Sequence, residues 1–163
     1  MKILGLDPGF GTLGYGVIEV SGNTLRHIVH GAIFTEKDKP IQVRLKSLYD
    51  QIRNIIRNYT PNEVAIERLF FYKNVTTAIA VGEARGVALL AVVEYDLPIF
   101  EYTPHMVKKA VTGNGRATKA DIQKWVALLL ELKKKPKPDD AADALAIAIC
   151  HAHCGNFERR FVR

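Results

Sequence analysis

Four acidic residues stand where the chain could bring them together. Asp7 closes the apolar run Ile3-Leu4-Gly5-Leu6, and Glu67 closes Val64-Ala65-Ile66. Both runs read as buried strands that neighbour each other in one sheet. Asp140 and Asp143 lie three apart in a segment of helical character, which puts both on one face. Carboxylates at the ends of core elements are costly unless solvated, paired or bound to a cation. Four hard oxygen donors without His or Cys suit Mg²⁺ or Mn²⁺. Two such ions about 4 Å apart can activate water and stabilise the leaving oxygen in phosphodiester hydrolysis. Each acid also has a plainer reading. Asp139 or Asp140 can cap a helix after Pro138, Asp7 can serve an Asp-Pro-Gly turn, and Glu67 can pair with Arg68. Singly these readings suffice, but they do not jointly account for acids ending two neighbouring strands and pairing on one helix face.

The elements that must position these groups follow from periodicity. Lys2–Asp7, residues 13–20 and Thr24–Thr35 read as three successive strands, with turn chemistry at Ser21-Gly22-Asn23, and imply an antiparallel meander. The period then becomes helical from Pro40 to Tyr59, with Ile41, Leu45, Leu48, Ile52, Ile55 and Ile56 on one stripe. Glu63–Glu67 returns as a strand parallel to the first. A second helix opens at Asn74 or Thr76 and runs to about Tyr95. It is apolar nearly all round and rich in Ala and Gly, so it is buried on two sides, either against a second subunit or wholly within one domain. Leu97–Glu101 gives a fifth strand, and a helix from Thr103-Pro104 stops at Gly113-Asn114-Gly115. Another helix spans about Thr118 to Leu132. The basic connector Lys133–Asp139 leads to a last helix, Asp140 to about His153. The class is α/β, a mixed five-stranded sheet flanked by helices, in a single domain over residues 1–155 with a short basic tail over 156–163.

Composition narrows the partners. In 163 residues, 23 Lys and Arg face 17 Asp and Glu, a net charge of +6 that permits a polyanionic partner. The hydrophobic fraction of 48% excludes disorder and supports one core. The longest apolar run, Val87 to Val93, is far short of the roughly 18 residues of a membrane span. Asp7 ends the first apolar run too early for a signal peptide, and two cysteines make no disulfide framework. The expectation is a reduced, cytoplasmic protein.

Taken together, Leu6-Asp7-Pro8-Gly9, Gly14-Tyr15-Gly16-Val17, Ala65-Ile66-Glu67, Lys73-Asn74, Glu83-Ala84-Arg85-Gly86-Val87, Phe100-Glu101-Tyr102 and the segment from Asp140 to Ile149 resemble the RuvC Holliday junction resolvases, in the same order over nearly the whole chain. The resemblance implies a ribonuclease H-like fold and a homodimer. It further implies resolution of four-way DNA junctions by paired, symmetric incisions that leave 5′-phosphate and 3′-hydroxyl ends, in recombination and repair. It implies Mg²⁺ (Mn²⁺ substituting), with two ions per site held by Asp7, Glu67, Asp140 and Asp143 as the catalytic acids. RuvA and RuvB are the implied branch-migration partners. Asp139 is an extra acid. An i,i+4 pair of Asp139 with Asp143 is the alternative, and the family's i,i+3 spacing favours Asp140.

Other residues suit DNA. Phe70-Phe71-Tyr72 follows Glu67 closely and reads either as core-capping rings or as rings that stack on exposed bases at the junction centre. The resemblance puts Phe70 first and Phe71 second. Lys73 and Asn74 stand where a phosphate could be held. Lys108, Lys109, Arg116 and Lys119 flank the Gly113-Asn114-Gly115 turn, a backbone-and-cation arrangement suited to DNA. The resemblance singles out Lys108 and Lys119, the latter also as a clamp on transition-state charge. Lys133, Lys134, Lys135 and Lys137 read as solvated, adding at most non-specific attraction. Three other motifs are set aside. Gly9-Phe-Gly11-Thr-Leu-Gly14 leads into a strand rather than the helix a dinucleotide site needs. The phosphate hairpin of actin-like ATPases requires a second lobe. On a continuous helix, Cys150 and Cys154 share a face from which His151 and His153 diverge, which is awkward for tetrahedral zinc.

Overall fold

The computed structural model describes residues 1–9, 11–69 and 75–161. Strands β1 (Lys2–Asp7), β2 (Thr12–Ser21) and β3 (Thr24–Phe34) form the expected meander, turning at Gly22 with φ +58°. Helix α1 (Ile41–Tyr59) presents Leu48, Ile52, Ile55 and Ile56 to the sheet, then stops at Thr60, which is left-handed and followed by Pro61. Strand β4 (Glu63–Glu67) runs parallel to β1. Helix α2 (Val75–Val93) leads to β5 (Ile99–Tyr102), parallel to β4. Helices α3 (Pro104–Thr112), α4 (Lys119–Leu129) and α5 (Asp139–Phe161) complete the chain. The strand order is β3-β2-β1-β4-β5.

Alternation sorts the sheet into two cores. Leu4, Leu6, Val17, Val64 and Ile66 pack beneath α1 and α2, with Leu48, Ile52, Ala84 and Ala88. Ile3, Ile18 and Ala65 face α5, where Leu145, Ile149, Val107, Ile122 and Val126 close over them. Residues of odd number on β1 and β4 therefore look toward α5, and Asp7 and Glu67 are among them.

Three boundaries differ from expectation, two of them with a local cause, and the burial of α2 separates the two readings left open for it. β5 begins at Ile99 because Pro98 has no N–H to donate; its carbonyl instead accepts from Val64 N at 3.0 Å. α4 ends at Leu129 rather than Leu132. Glu131 turns left-handed (φ +51°), Leu132 N donates to Ala127 O at 2.8 Å and Glu131 N to Leu128 O at 3.2 Å, the paired closure of a Schellman end. α5 continues to Phe161, so residues read as a tail prolong the helix. On α2, Ala84, Ala88, Ala91 and Val92 are buried, but Ile79, Leu90 and Val93 are 60%, 58% and 57% exposed; within this chain the helix is covered on one side, not two. Among the described residues no helix is long and apolar enough to cross a membrane.

Candidate active site

Register gathers the acids. Leu6 pairs with Ile66 in the parallel ladder, so Asp7 and Glu67 leave the sheet together at the ends of its central strands, on the face that α5 covers. The sequence also lets α5 lie unusually close to that face. A methyl group added at Gly14 would overlap the carbonyl oxygen of Asp140, and one at Gly5 the carbonyl oxygen of Ala144. These two glycines are needed for close approach rather than for backbone freedom. They seat the first turns of α5 directly on β1 and β2, which brings Asp143 to the strand ends.

The result is a cleft of about 300 Å³ lined by Asp7, Glu67, Asp143, Lys108 and Lys119 over an apolar wall that includes Val107, Ile122 and Ala146. Lys119 Nζ stands 3.2 Å from Asp143 Oδ2. Burial, then repulsion from Glu67, Asp143 and Asp140, pushes the Asp7 carboxyl up to about 8; Lys119 partly opposes the shift. Burial followed by Asp143 pushes Glu67 up to about 7, against Lys119 and Lys108. Asp143 is also raised, chiefly by burial, with Lys119 pulling it back, and Lys119 itself is held above the usual lysine range by Asp143. The electrostatics are those of carboxylates crowded together with too little positive charge between them.

Each expected residue can now be placed. Asp7, Glu67, Asp143, Lys108 and Lys119 share the cleft. Asp140 is half-buried beside it, and its charge is felt by Asp7. Asp139 is exposed and accepts a hydrogen bond from Gln123 Nε2 at 2.8 Å, so it turns to α4 while Asp140 and Asp143 turn to the strands. The plainer reading of Glu67 gives way as well, since Arg68 pairs with Glu101 at 3.3 Å. Arg116 is exposed at the 113–116 turn and does not line the cleft. Phe70, Phe71, Lys73 and Asn74 lie outside the described residues. Sequence reasoning missed the direct pairing of Lys119 with Asp143 and the glycine seats; the Gly-Tyr-Gly spacing within β2 was the available signal for the second. The Cys-His cluster is occupied otherwise. His151 bridges Glu63 Oε2 (2.7 Å) and the Tyr102 hydroxyl (2.6 Å), and His153 Nδ1 meets Ala110 O at 3.1 Å.

The donor set fits a hard divalent cation by its chemistry. All candidate ligands are carboxylate oxygens, and their mutual repulsion is what such a charge would relieve. Among the described residues, no three acidic, His or Cys side chains close on one point, so the acids line the cleft without forming a finished cage.

A mixed sheet in this order, with acids at the adjoining ends of its central strands and on the helix laid across them, defines the ribonuclease H-like class of nucleases. Comparison with known proteins narrows it. The family model described as crossover junction endodeoxyribonuclease RuvC matches residues 3–151, and the chain belongs to that family, whose nucleases are metal-dependent. The crossover junction endodeoxyribonuclease RuvC of Pseudothermotoga lettingae is 58% identical over 161 residues, covering 99% of each chain. That of Petrotoga mobilis is 55% identical over 161 residues, 99% of this chain and 97% of its own. Among solved structures, T. thermophilus RuvC in complex with a Holliday junction substrate superposes with TM-score 0.92 at 34% identity, covering 97% of this chain and 96% of that one.

Proposed function

We propose that this chain resolves four-way DNA junctions by paired, symmetric, metal-dependent incisions in homologous recombination and repair in the cytoplasm, with Asp7, Glu67, Asp140 and Asp143 as its catalytic acids. The observation that carries the reading is the convergence of carboxylates from β1, β4 and α5 on one cleft that also holds Lys108 and Lys119. The four acids would hold Mg²⁺, with Mn²⁺ able to substitute, at two ions per site. When bound, such ions supply Lewis-acid charge that lowers the pKa of water and stabilises the leaving oxygen. Lys119 would oppose the charge that develops on the scissile phosphate, and Lys108 would hold a neighbouring phosphate oxygen, a reading supported by their place in the cleft. Val107, Ile122 and Ala146 exclude bulk water from one wall of the cleft. Attack of water in line breaks the bond to the 3′ oxygen and leaves a 5′-phosphate and a 3′-hydroxyl, ends that a ligase can rejoin.

Two incisions on opposed strands call for two sites. Ile79, Gly82, Gly86, Leu90 and Val93 fall within about 80° of arc on α2 at about 100° per residue, and among the described residues nothing beyond the helix's own backbone and chain neighbours comes within 4 Å of a methyl added at either glycine. An apolar face that a second helix can approach closely suits a twofold homodimer. Phe70 and Phe71, just after Glu67 in sequence, are assigned to base stacking at the junction centre, and Lys73, Asn74 and Arg116 to backbone phosphates. RuvA and RuvB as branch-migration partners belong to the same proposal.

The test is incubation with a labelled four-way junction, a matched linear duplex and an RNA–DNA hybrid, with and without Mg²⁺ or Mn²⁺. Symmetric, ligatable, metal-dependent nicks in the junction alone are the expected result. Junction binding without cutting in either metal makes the chain a scaffold, and cleavage of the hybrid without junction preference moves it to another nuclease class.

A further inference from the structure

Resting on the reading of this chain as a junction-binding nuclease, we propose that the loop of residues 130–138, between α4 and α5, is a second DNA-binding element that grips the phosphate backbone of a duplex arm beside the incision site. The cleft itself offers a polyanion little, since Lys108 and Lys119 are its only lining cations among the described residues and Lys119 is paired with Asp143. Affinity must therefore come from outside it. Most cations near acids are already spent: Arg26 on Glu19, Lys46 on Asp50, Arg53 on Glu94, and Arg68 and Arg85 on Glu101. Lys133, Lys134, Lys135 and Lys137 are all exposed, and none makes an ion pair among the described residues. They form a dense array of uncompensated charge.

The array is held in place. Leu130 is buried at the end of α4, where the Schellman closure fixes the exit, and Pro136 is buried in the middle of the loop. The Pro138 carbonyl accepts from Ala141 N at 3.0 Å, which ties the far end to α5. A loop pinned at three points presents its lysines with less ordering cost than a free tail.

It also lies in line with the cleft. Lys119 meets Asp143 and Gln123 meets Asp139, so α4 and α5 run antiparallel, with the loop beyond Asp139 on the side away from Asp143. From Asp143 to Asp139 the helix advances about 6 Å, and the loop adds a similar distance. At 3.4 Å of rise per nucleotide, the phosphates it can reach stand roughly three or four nucleotides from the scissile one.

The experiment measures junction and linear-duplex binding in EDTA from 50 to 200 mM salt, for the wild-type chain and for the K133A/K134A/K135A/K137A variant. Circular dichroism and Tm establish that the variant is folded. Each lost phosphate contact flattens the plot of log K against log salt by about 0.9. The expected result is a slope flatter by about 2, on junction and duplex alike, with K133R/K134R/K135R/K137R restoring it and Lys46→Ala leaving it unchanged. A slope equal to that of the wild type in the quadruple alanine variant overturns the proposal, while wild-type binding and cutting of the junction would still stand. A wild-type chain that does not bind the junction overturns both readings.

Discussion

Two stretches of α5 bury ionisable groups between the same helix and the same sheet, and treat them in opposite ways. In the stretch midway along the helix, toward the far end of the sheet, His151 is almost wholly enclosed, with one ring nitrogen on Glu63 at 2.7 Å and the other on the Tyr102 hydroxyl at 2.6 Å, and with Phe100 packed against the ring at 4.3 Å between centroids. Both nitrogens are partnered, and the helix is fastened to β4 and β5. At the near end, Asp7, Glu67 and Asp143 are crowded by burial and by one another, with Lys119 as direct compensation for one of them. A polar network that satisfies itself contributes rigidity. One left short of positive charge gives up stability for a place where a cation would be welcome, and on the proposed function the near end is the working end.

The contrast can be broken most sharply at Asp7. Asp7→Asn removes a central donor of the crowded end and should lower junction cleavage by on the order of 10³-fold or more, the several kcal/mol that metal-held charge contributes. Junction affinity in EDTA should hold near neutral pH, where the Asp7 carboxyl is largely protonated, and hold or improve above pH 8, where a repulsive charge is gone; parallel loss of binding and cutting would make Asp7 structural. Gly14→Ala tests the seat of the same end. The added methyl meets the Asp140 carbonyl, so the first turn of α5 must move. A displacement near 1 Å should cost about 10²-fold in cleavage and lower Tm as well. Full activity in that variant would show that the acids do not depend on the glycine seat.

Smaller effects belong to the satisfied stretch. His151→Ala removes one buried partner each from the Glu63 carboxylate and the Tyr102 hydroxyl and should destabilise by about 1–3 kcal/mol in denaturant titration. Well below Tm, cleavage should remain within a few-fold of wild type. Loss of activity without loss of stability would contradict the division of labour. A separate effect is on pH. Asp7 and Glu67 titrate in the folded, metal-free chain near 8 and 7 against 3.8 and 4.5 for the free groups. The folded state therefore binds more protons across that window. Their contribution to stability is fully present below about pH 4 and is lost as pH rises through 7 and 8. The metal-free Tm should fall between pH 5 and pH 8, less steeply in Asp7→Asn.

The same comparison explains what could be read without coordinates. That Asp7, Glu67, Asp140 and Asp143 turn toward one place was legible because alternation and i,i+3 spacing put side chains on faces. The strand and helix order followed from the change of period at Pro40 and from the stop signals at Pro61 and Gly113. The depth at which α5 sits was not legible. It depends on Gly5 and Gly14 meeting backbone far away in sequence, and a glycine in a strand does not say what approaches it. The partners of Lys119, Asp139 and His151 were hidden for a related reason, since each pairs across elements whose relative placement is set by packing. The open face of α2 stayed between two readings, a second subunit or burial within one domain, because small and apolar residues all round a helix do not reveal which side the chain itself covers.

The central claim, that the near end of α5 is held short of positive charge and takes up divalent cations, is tested most directly by thermal melts of the wild-type chain and Asp7→Asn at pH 8 across a Mg²⁺ titration without DNA. The account predicts that the wild-type Tm climbs with Mg²⁺ while Asp7→Asn starts higher and responds weakly. Equal starting points with equal responses, or no response in either, would contradict it.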